Sequence, residues 1–584
     1  MAKLTAMDIW KEYQDGIEYQ NSMSFGRKWA EYQRFINGDQ WPAPTDATKN
    51  LPRPVFNICR MITTQKSSNV LNENITMQFT ADELVDDSTD PKQAELIQSA
   101  SDGATQFTAY SRTLWEKVEQ SQLNEDAIED ASSLGTAVWH YQWNSDISGG
   151  TGTIYIGEID GETLDPSNIF FKNPKCQDLQ KQPSIIISND LPIAEIIELA
   201  KINKVSQENI EKISSNEEDK QGKIYEADKV EAKGNSRVTL LTRYFKKNGR
   251  VYWTKSTNSV IVQDETDLAQ GSERGFKLYP IEIMVWYKRK KCIYGIGEIE
   301  GLIPNQKAIN FNIGMNLLSI QETAWPKIYA KLGALNQQIT NTPGEIITDN
   351  LINGSDNIKF MQPPNFSYMP GILTDKILDL TRTATGVTDV ATGEKLGASI
   401  SAAAIIALQN QAKVPIEAIQ KRFYRSQKRI GRIWEEFFKV RYNIERSVVI
   451  KDDNNQNMPM KFKGSDYEKT NFDLKIDVGP SSQFSEGLST SIYERLFYDA
   501  KSIDLNIFIE MLPDNAIQKQ KLKRLIKEKA DREQAAMLKQ QQEIEQAKAS
   551  LSPEEQQVLQ QQPELMEQAK LNAGWQTQTP PQNL

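Results

Sequence analysis

The chain has 584 residues, of which 39% are hydrophobic and 9% aromatic, enough for about four average domains with buried cores. Its formal net charge of −10 argues against a protein whose whole surface binds nucleic acid, because phosphate binding needs an excess of lysine and arginine. The three cysteines are far apart and odd in number, which excludes a disulfide framework and a Cys-x-x-Cys metal site and favours a reducing compartment.

The first residues, MAKLTAMDIWKEYQDG, carry charges where a secretory signal needs an apolar run. The longest uncharged stretches, 308–321 and 396–412, are short or rich in Asn, Ser and Gln, whereas a membrane span needs about 20 apolar residues. We therefore expect a soluble protein with no membrane anchor that is not exported through a signal peptide.

The first third of the chain predicts helices followed by β structure. An aromatic stripe predicts a helix over 1–36, and prolines 42, 44, 52 and 54 then require an extended path. A helix and a strand are predicted within 54–81, and one further helix over 92–134, ending at Gly135. Strands follow in TAVWHYQW, TIYIGEIDGETL and IFFKNP.

The next segments alternate between exposed and strand-like sequence. Residues 191–221 are predicted to be helical and then highly charged. Strands return in RVTLLTRYFKKNGRVYWTK, where Asn248-Gly249 is a strong hairpin signal, and in YPIEIMVWYKR.

A long helix is predicted from about residue 298. Its apolar positions recur at helical spacing, while asparagines occupy much of the remaining circumference. There is no charged residue between Lys307 and Glu322, which indicates packing against copies of the same chain or the lining of a shared passage. The apolar set is Ile299, Leu302, Ile303, Ile309, Ile313, Leu317 and Ile320.

The stretch 332–366 is rich in turn residues but keeps apolar anchors, as in a small module. A helix, GILTDKILDLTRTATGV, and the flexible run TDVATGEKLGAS precede a very long helical segment over about 400–445. Pro415 is expected to kink that helix, and the alternative is two helices that meet at the proline. Strands are predicted in 446–480, helices from about 486, and a Gln-rich tail that ends in disorder.

The sequence offers little catalytic chemistry. The single histidine, His140, lies on a strand and is interpreted as a satisfied sheet residue rather than a catalytic base. One histidine nearly excludes zinc sites and Ser-His-Asp triads. Isolated pairs such as Asp86-Asp87 and Asp452-Asp453 read as solvated charges rather than metal ligands. No catalytic, cofactor or metal residue is predicted.

Nucleotide-binding loops are also not supported. Gly295-x-Gly297-x-x-x-Gly301 follows a strand but lacks the spacing of a dinucleotide loop, so a simple strand-to-helix turn is favoured. No phosphate-binding GxxxxGK[ST] sequence is present.

One basic cluster occurs in KRFYRSQKRIGRIWEEFFKVRYNIER. Its cations are predicted to share one helical face, with aromatic residues opposite. Two interpretations remain open, direct contact with nucleic acid and an amphipathic helix whose basic face is solvated or paired between subunits. The four cations are Arg425, Lys428, Arg432 and Lys439.

Several segments, in this order, resemble the portal proteins of tailed double-stranded-DNA bacteriophages, most closely the large portals of short-tailed phages. The resemblance spans about residues 25–510. It rests on NGDQWP, LPRPVFNICRMI, LGTAVWHY, LDPSNIFFKNP, CIYGIGEIEGLIPNQKAINFNIGMN and TGVTDVATGEKLGASISAAAIIALQNQA.

The resemblance implies an α+β portal architecture. A mixed α/β wing would comprise 1–290 and 446–500, with a first stem helix and its lead-in over 291–325 and a second stem helix over 367–387. The clip would be 326–366, the tunnel loop 388–399, the kinked wing helix 400–445, and a helical crown with the Gln-rich tail 501–584.

The resemblance also implies a homo-oligomeric ring, usually of twelve subunits, at one vertex of the virion capsid and assembled in the host cytoplasm. Double-stranded DNA would pass through it during packaging and ejection. Its partners would be the terminase large subunit, the major capsid protein and scaffold, and tail adaptor proteins. An acidic protein with an uncharged first stem helix suits a channel that must not hold phosphates strongly.

Specific channel residues follow from the same resemblance. Asn310 and Asn316 are candidates for the stem lumen, and Pro415 for the helix kink. The tunnel loop is expected to reach the DNA, with Lys395 as a weak phosphate contact, although a surface loop without lumen contact is the alternative. Its candidate residues are Thr388, Asp389, Thr392, Glu394, Lys395 and Ser399.

Two other classes of function remain as alternatives. One is a different ring-forming or scaffold component of the virion, which a channel too narrow for duplex DNA would distinguish. The other is a nucleic-acid-processing enzyme, which needs an active site that the sequence does not supply.

Overall fold

The computed structural model describes residues 4–478 except 72–74, 82–90, 151–153, 215–236, 271, 273, 325–327, 331–357, 361–368, 388–401 and 452–456. The chain divides into two compact units, Met1–Gly479 and Pro480–Leu584. In the second unit the description covers only helical positions at 528–529, 532, 534–539 and 542, so most of the predicted crown and tail lie outside it. Both helices and strands are abundant, and the α+β class is confirmed.

The N-terminal region is helical, as the aromatic stripe predicts, but it forms two helices. These are α1 (Ala6–Ser22) and α2 (Phe25–Ile36), followed after the proline-rich stretch by α3 (Ile58–Leu71). Ser24 adopts a left-handed backbone with φ of 56°, which ends the first helix before the second begins. Thr5 and Asp8 form a capping box at the start of α1.

The single helix predicted over 92–134 is wrong. Strand β1 (Ile75–Ala81) precedes two helices, α4 (Pro91–Lys117) and α5 (Gln120–Leu134). Glu119 interrupts them with a left-handed φ of 52°, and neither glycine nor proline marks that position. The predicted end at Gly135 is confirmed.

The predicted β region forms two antiparallel sheets. The first has the order β3-β2-β9 and the second β4-β5-β6-β7-β8. The Asn248-Gly249 hairpin is confirmed, because both residues have positive φ and join paired strands. The strands are β2 (Thr136–Gly149), β3 (Tyr155–Thr163), β4 (Ile169–Phe171), β5 (Ser184–Pro192), β6 (Arg237–Lys247), β7 (Arg250–Ser256), β8 (Ile261–Asp267) and β9 (Ile281–Val285), with helices α6 (Ile193–Ile202) and α7 (Gln207–Ile210) between β5 and β6.

The remaining elements are three long helices and five short strands. Helix α8 (Glu298–Ala324) leads to β10 (Ile328–Ala330), which pairs with β11 (Ile358–Phe360), and helix α9 (Met369–Thr385) follows. Helix α10 (Ala402–Arg441) precedes β12 (Arg446–Lys451), β13 (Asn457–Phe462) and β14 (Phe472–Val478). Helix α10 runs without interruption through Pro415, so the alternative of two separate helices is wrong.

The core joins distant parts of the chain. Strand β14 pairs along its whole length with β1, from Ile75 opposite Val478 to Ala81 opposite Phe472. The aromatic side of α10 is buried in the main hydrophobic cluster, as predicted. Its buried members include Phe423, Ile430, Trp434, Phe437 and Phe438.

His140 is a satisfied sheet residue. It is buried, its Nδ1 lies 2.7 Å from a Glu162 carboxylate oxygen, and its Nε2 lies 2.9 Å from the Tyr244 hydroxyl. The hydrogen bond with His140 lowers the pKa of Glu162. Both ring nitrogens therefore have protein partners, which is what a structural role requires.

Among the helices that the structure describes, none is long and apolar enough to cross a membrane.

Candidate functional site

The segment that leads into α8 lies in close contact with the backbone at the end of α5. Gly295 and Gly297 pass directly against the end of α5, where a Cβ on either residue would overlap the carbonyl oxygen of Gly135 or Ser133. The hydroxyl of Thr136 accepts a hydrogen bond from the amide of Gly295 at 2.9 Å. The absence of a Cβ at these glycines allows the two backbones to approach closely. This role supports the interpretation as a strand-to-helix turn rather than as a nucleotide-binding loop.

A buried ion pair fixes the first turn of α8. Lys66 Nζ on α3 lies 2.7 Å from Glu298 Oε1, and the two side chains are 3% and 6% exposed. The other carboxylate oxygen of Glu298 accepts hydrogen bonds from Trp286 Nε1 at 3.0 Å and from the Tyr287 hydroxyl at 2.8 Å. Glu298 therefore satisfies three donors from two parts of the fold.

The third and fourth turns of α8 are hydrogen-bonded to the N-terminal region. Gln306 accepts from the amides of Ile58 and Cys59 at the start of α3, at 2.8 and 3.2 Å. Asn310 Nδ2 donates to Gln40 Oε1 at 2.6 Å, and Asn310 is only 3% exposed. The prediction that Asn310 lines a lumen is therefore wrong, because its amide is used inside the chain.

The second half of α8 has the opposite character. From residue 311 onward, large apolar side chains face solvent, while Asn316 is half-buried. Of the predicted apolar set, Ile299, Leu302, Ile303 and Ile309 are buried within the chain, Ile313 is half-buried, and Leu317 and Ile320 are exposed. The exposed residues are Phe311 (59%), Met315 (46%), Leu317 (39%) and Ile320 (52%).

Helix α9 packs against α8 with its polar side. Thr374, Thr381 and Thr385 are buried, and each hydroxyl donates to a carbonyl four residues earlier in the same helix. Asn305 on α8 also donates to the Thr381 hydroxyl at 3.0 Å. Two large apolar residues of α9, Ile377 and Leu378, are half-buried. Four others are exposed, and they are Met369 (69%), Ile372 (60%), Leu373 (50%) and Leu380 (60%).

The two helices thus form a unit, here called the helix pair (Glu298–Ala324 and Met369–Thr385), whose exposed surface carries several large apolar side chains, with Asp375, Lys376 and Asp379 among those of α9. Exposed large apolar side chains that cluster in this way are typical of a surface that another molecule covers. The known-protein comparison agrees with an assembling protein. A family model described as phage P22-like portal protein matches residues 11–579.

The chain belongs to the phage P22-like portal protein family. A search of curated proteins gave no match. Membership implies a structural virion protein at the portal vertex, which forms a ring-shaped oligomer and interacts with capsid, terminase and tail.

Some of the expected portal elements fall on described residues and others do not. The helix pair lies where the two stem helices are expected, and β10 and β11 lie within the expected clip. The ring of Pro415 on α10 packs against Gly386, immediately after the second helix of the pair. The expected tunnel loop, 388–399, lies outside the described residues, including all six of its candidate channel residues.

Most cations of the predicted basic face of α10 have carboxylate partners within the portal subunit. Lys439 is 2% exposed and lies 2.5 Å from a Glu435 oxygen. Arg432 contacts Glu435 at 2.9 Å and Asp473 at 3.1 Å, and Lys428 lies 3.8 Å from Asp473. Arg425 is exposed. The four cations therefore do not form one free phosphate-binding surface, because β14 covers part of the face.

Within the described ranges, no group of three or more His, Cys, Asp and Glu side chains is arranged to hold a metal ion. Asp86-Asp87 and Asp452-Asp453 lie outside them. A further charge network pairs Glu158 with Arg446 at 2.9 Å, both 3% exposed, and with the partly exposed Lys117 at 2.8 Å. It joins β3, β12 and α4, and its position inside the fold indicates a structural role.

Proposed function

We propose that this chain forms a closed ring, most simply of twelve copies, whose central channel carries double-stranded DNA during packaging and ejection. The ring would be the docking site for the terminase large subunit and the tail adaptors, and would contact the major capsid protein and scaffold. The family assignment supports the class of protein, and the helix pair supports its mode of assembly.

The observation that carries the ring is the inverted polarity of α9. Its buried positions include three threonines, one of which contacts α8 through Asn305, whereas four of its large apolar side chains are exposed. Burying a fully exposed large aliphatic side chain contributes about 1.5–3 kcal/mol, and Ile372, Leu373 and Leu380 on α9 are each 50–60% exposed in one subunit. Adjacent copies that pack these helices side by side would remove these side chains from water.

The proposed division follows the expected portal parts. Residues 1–290 and 446–500 would form the wing, and the complete pairing of β1 with β14 supports a wing built from both segments. The lead-in and first helix (291–325) and the second helix (367–387) would form the stem, with the clip between them. The segment 400–445 would lie under the wing, and 501–584 would form the crown and tail.

We expect Leu380→Asp to prevent ring closure. Leu380 is 60% exposed in the subunit, so the substitution leaves the fold intact, whereas a carboxylate at a dry interface costs several kcal/mol and recurs at every contact. Sedimentation velocity and negative-stain images of the purified protein measure the outcome. The matched control is Met7→Asp, which places the same charge at a 77% exposed apolar position of α1, away from the helix pair.

The expected pattern is rings with a through-channel for wild type and control, and monomers for Leu380→Asp. Normal rings from the Leu380→Asp protein would show that the helix pair is not part of the assembly surface. Rings without a channel wide enough for duplex DNA would instead favour another ring-forming virion component.

We further propose that Lys395 in the tunnel loop contacts packaged DNA weakly. It is the only cation between residues 388 and 399, beside Asp389 and Glu394, so a ring offers one such contact per subunit. Lys395→Glu should preserve ring formation and reduce retention of packaged DNA, with a deeper defect at low salt because repulsion is less screened. Retention is measured as full particles against emptied particles, with Lys201→Glu at an exposed position of α6 as control. Wild-type retention at low salt would assign the segment to a surface loop.

A further inference from the structure

A second basic element lies beside the helix pair. The turn after β9 reads Lys288-Arg289-Lys290-Lys291, four consecutive cations in a protein of net charge −10. Lys288, Lys290 and Lys291 are exposed, and none has an ion pair with a carboxylate in the part of the chain that the structure describes. We call Lys288–Lys291 the basic turn.

The backbone of the basic turn is held rigidly at both ends. Tyr287 and Ile296 exchange two backbone hydrogen bonds, at 3.1 and 2.9 Å. The side chain of Gln177 donates to the Arg289 carbonyl at 2.8 Å, and the amide of Ile293 donates to the Pro174 carbonyl at 3.0 Å. The three lysines therefore extend from a fixed loop, and binding does not need to order its backbone.

Arg289 behaves differently from its neighbours. Its guanidinium turns inward, lies 3.2 Å from Glu300 on α8 and stacks over the ring of Phe25. Lys28 binds the other oxygen of Glu300 at 3.1 Å, so the one carboxylate in this network is already shared by two cations. Nearby Glu298 is neutralised by Lys66. The exposed lysines consequently keep their charge for an external partner.

We propose that the basic turn is a sequence-independent contact site for the phosphate backbone of double-stranded DNA, distinct from the tunnel loop. Lysine ammonium groups bind phosphates as point charges and release counterions when they do so. An acidic protein partner fits less well, because lysine is depleted at the cores of protein interfaces, where aromatic and arginine anchors predominate. The proposal rests on the proposed ring in one respect: a closed ring would carry one basic turn per subunit.

The test uses the full chain and a fluorescein-labelled 30-base-pair duplex of arbitrary sequence. Lys288→Gln, Lys290→Gln and Lys291→Gln are combined in one variant. We expect its affinity at 50 mM salt to fall at least about 10-fold, and the slope of log affinity against log salt to fall by about 2 to 3, since each lost phosphate contact removes about 0.9. Fluorescence anisotropy over a salt series measures both.

Two matched variants make the result specific. Replacing all three lysines by arginine keeps the charge and should keep most of the binding. Replacing the exposed lysines Lys201, Lys204 and Lys212 by glutamine removes the same charge elsewhere and should leave the slope unchanged. Sedimentation velocity on each sample confirms that assembly is unaffected.

Wild-type affinity in the glutamine variant of the basic turn, or an equal loss in both glutamine variants, would overturn the proposal. Tighter binding of labelled polyglutamate than of duplex, lost in the same variant, would assign the turn to an acidic protein partner instead. If the wild-type protein forms rings with a channel, the proposed function stands whether or not the basic turn binds DNA. If the wild-type protein forms no rings, that result contradicts the proposed function but not the DNA contact.

Discussion

Replacing Lys66 by methionine is expected to lower the free energy of unfolding by about 3–5 kcal/mol. The substitution leaves Glu298 buried without its counter-ion, at the first turn of the helix that begins the helix pair. Trp286 and Tyr287 still donate to the carboxylate, but neither carries charge. The midpoint of urea denaturation, followed by tryptophan fluorescence, measures the loss.

The control is Lys28→Met, which breaks a contact to the same helix through Glu300. That pair is 38% and 29% exposed, and Arg289 remains bound to Glu300, so the expected cost is below about 1 kcal/mol. Combining Lys66→Met with Glu298→Gln should recover about 2 kcal/mol, because no unpaired charge stays buried. Equal midpoints for Lys66→Met and Lys28→Met would show that burial does not set the strength of these pairs.

Adding one methyl group at Gly297 is expected to destabilise the protein by about 3 kcal/mol. All three of the nearest atoms to the new Cβ belong to the backbone at Ser132 and Ser133, which cannot rotate away as a side chain can. The end of α5 and the segment that leads into α8 would have to separate, so the start of α8 would no longer be held in place. Thermal unfolding of Gly297→Ala against wild type measures the effect.

Gly301→Ala is the matched control, four residues further along. A Cβ at Gly301 meets no atom within 4 Å, and the position lies inside α8. Alanine is favoured over glycine there by about 1 kcal/mol, so this variant should melt at a higher temperature than wild type. The two glycines of one motif are thus expected to respond with opposite signs. A higher melting temperature for Gly297→Ala would contradict the close backbone contact.

Local patterns predicted most elements of the fold, because hydrophobic period and turn residues act over a few positions. The Asn248-Gly249 hairpin, the end of α5 at Gly135 and the aromatic side of α10 all follow from such signals. The break at Glu119 did not, because a glutamate that adopts a left-handed φ carries no turn signal in the sequence.

The candidate site was predicted less well, for a different physical reason. The polarity of a side chain does not determine its partner. Asn310 is polar and buried, because its amide donates to Gln40 and accepts from the backbone amide of Phe56, whereas Phe311 next to it is apolar and exposed. Lys439 and Arg432 look like a free basic face in the sequence, yet Glu435 and Asp473 neutralise them. The four consecutive cations at 288–291 were a simple signal that periodicity arguments overlook.

The pairing of β1 with β14 has a consequence for how the subunit is made. The two strands are about 400 residues apart in the chain. A ribosome that adds 5–20 residues per second needs roughly 20 to 80 s to synthesise that interval. Throughout it, the finished β1 has no partner strand and presents an open edge that another nascent chain can join. Folding order therefore differs from synthesis order here, and a new subunit depends on whatever shields β1 until residue 478 leaves the ribosome.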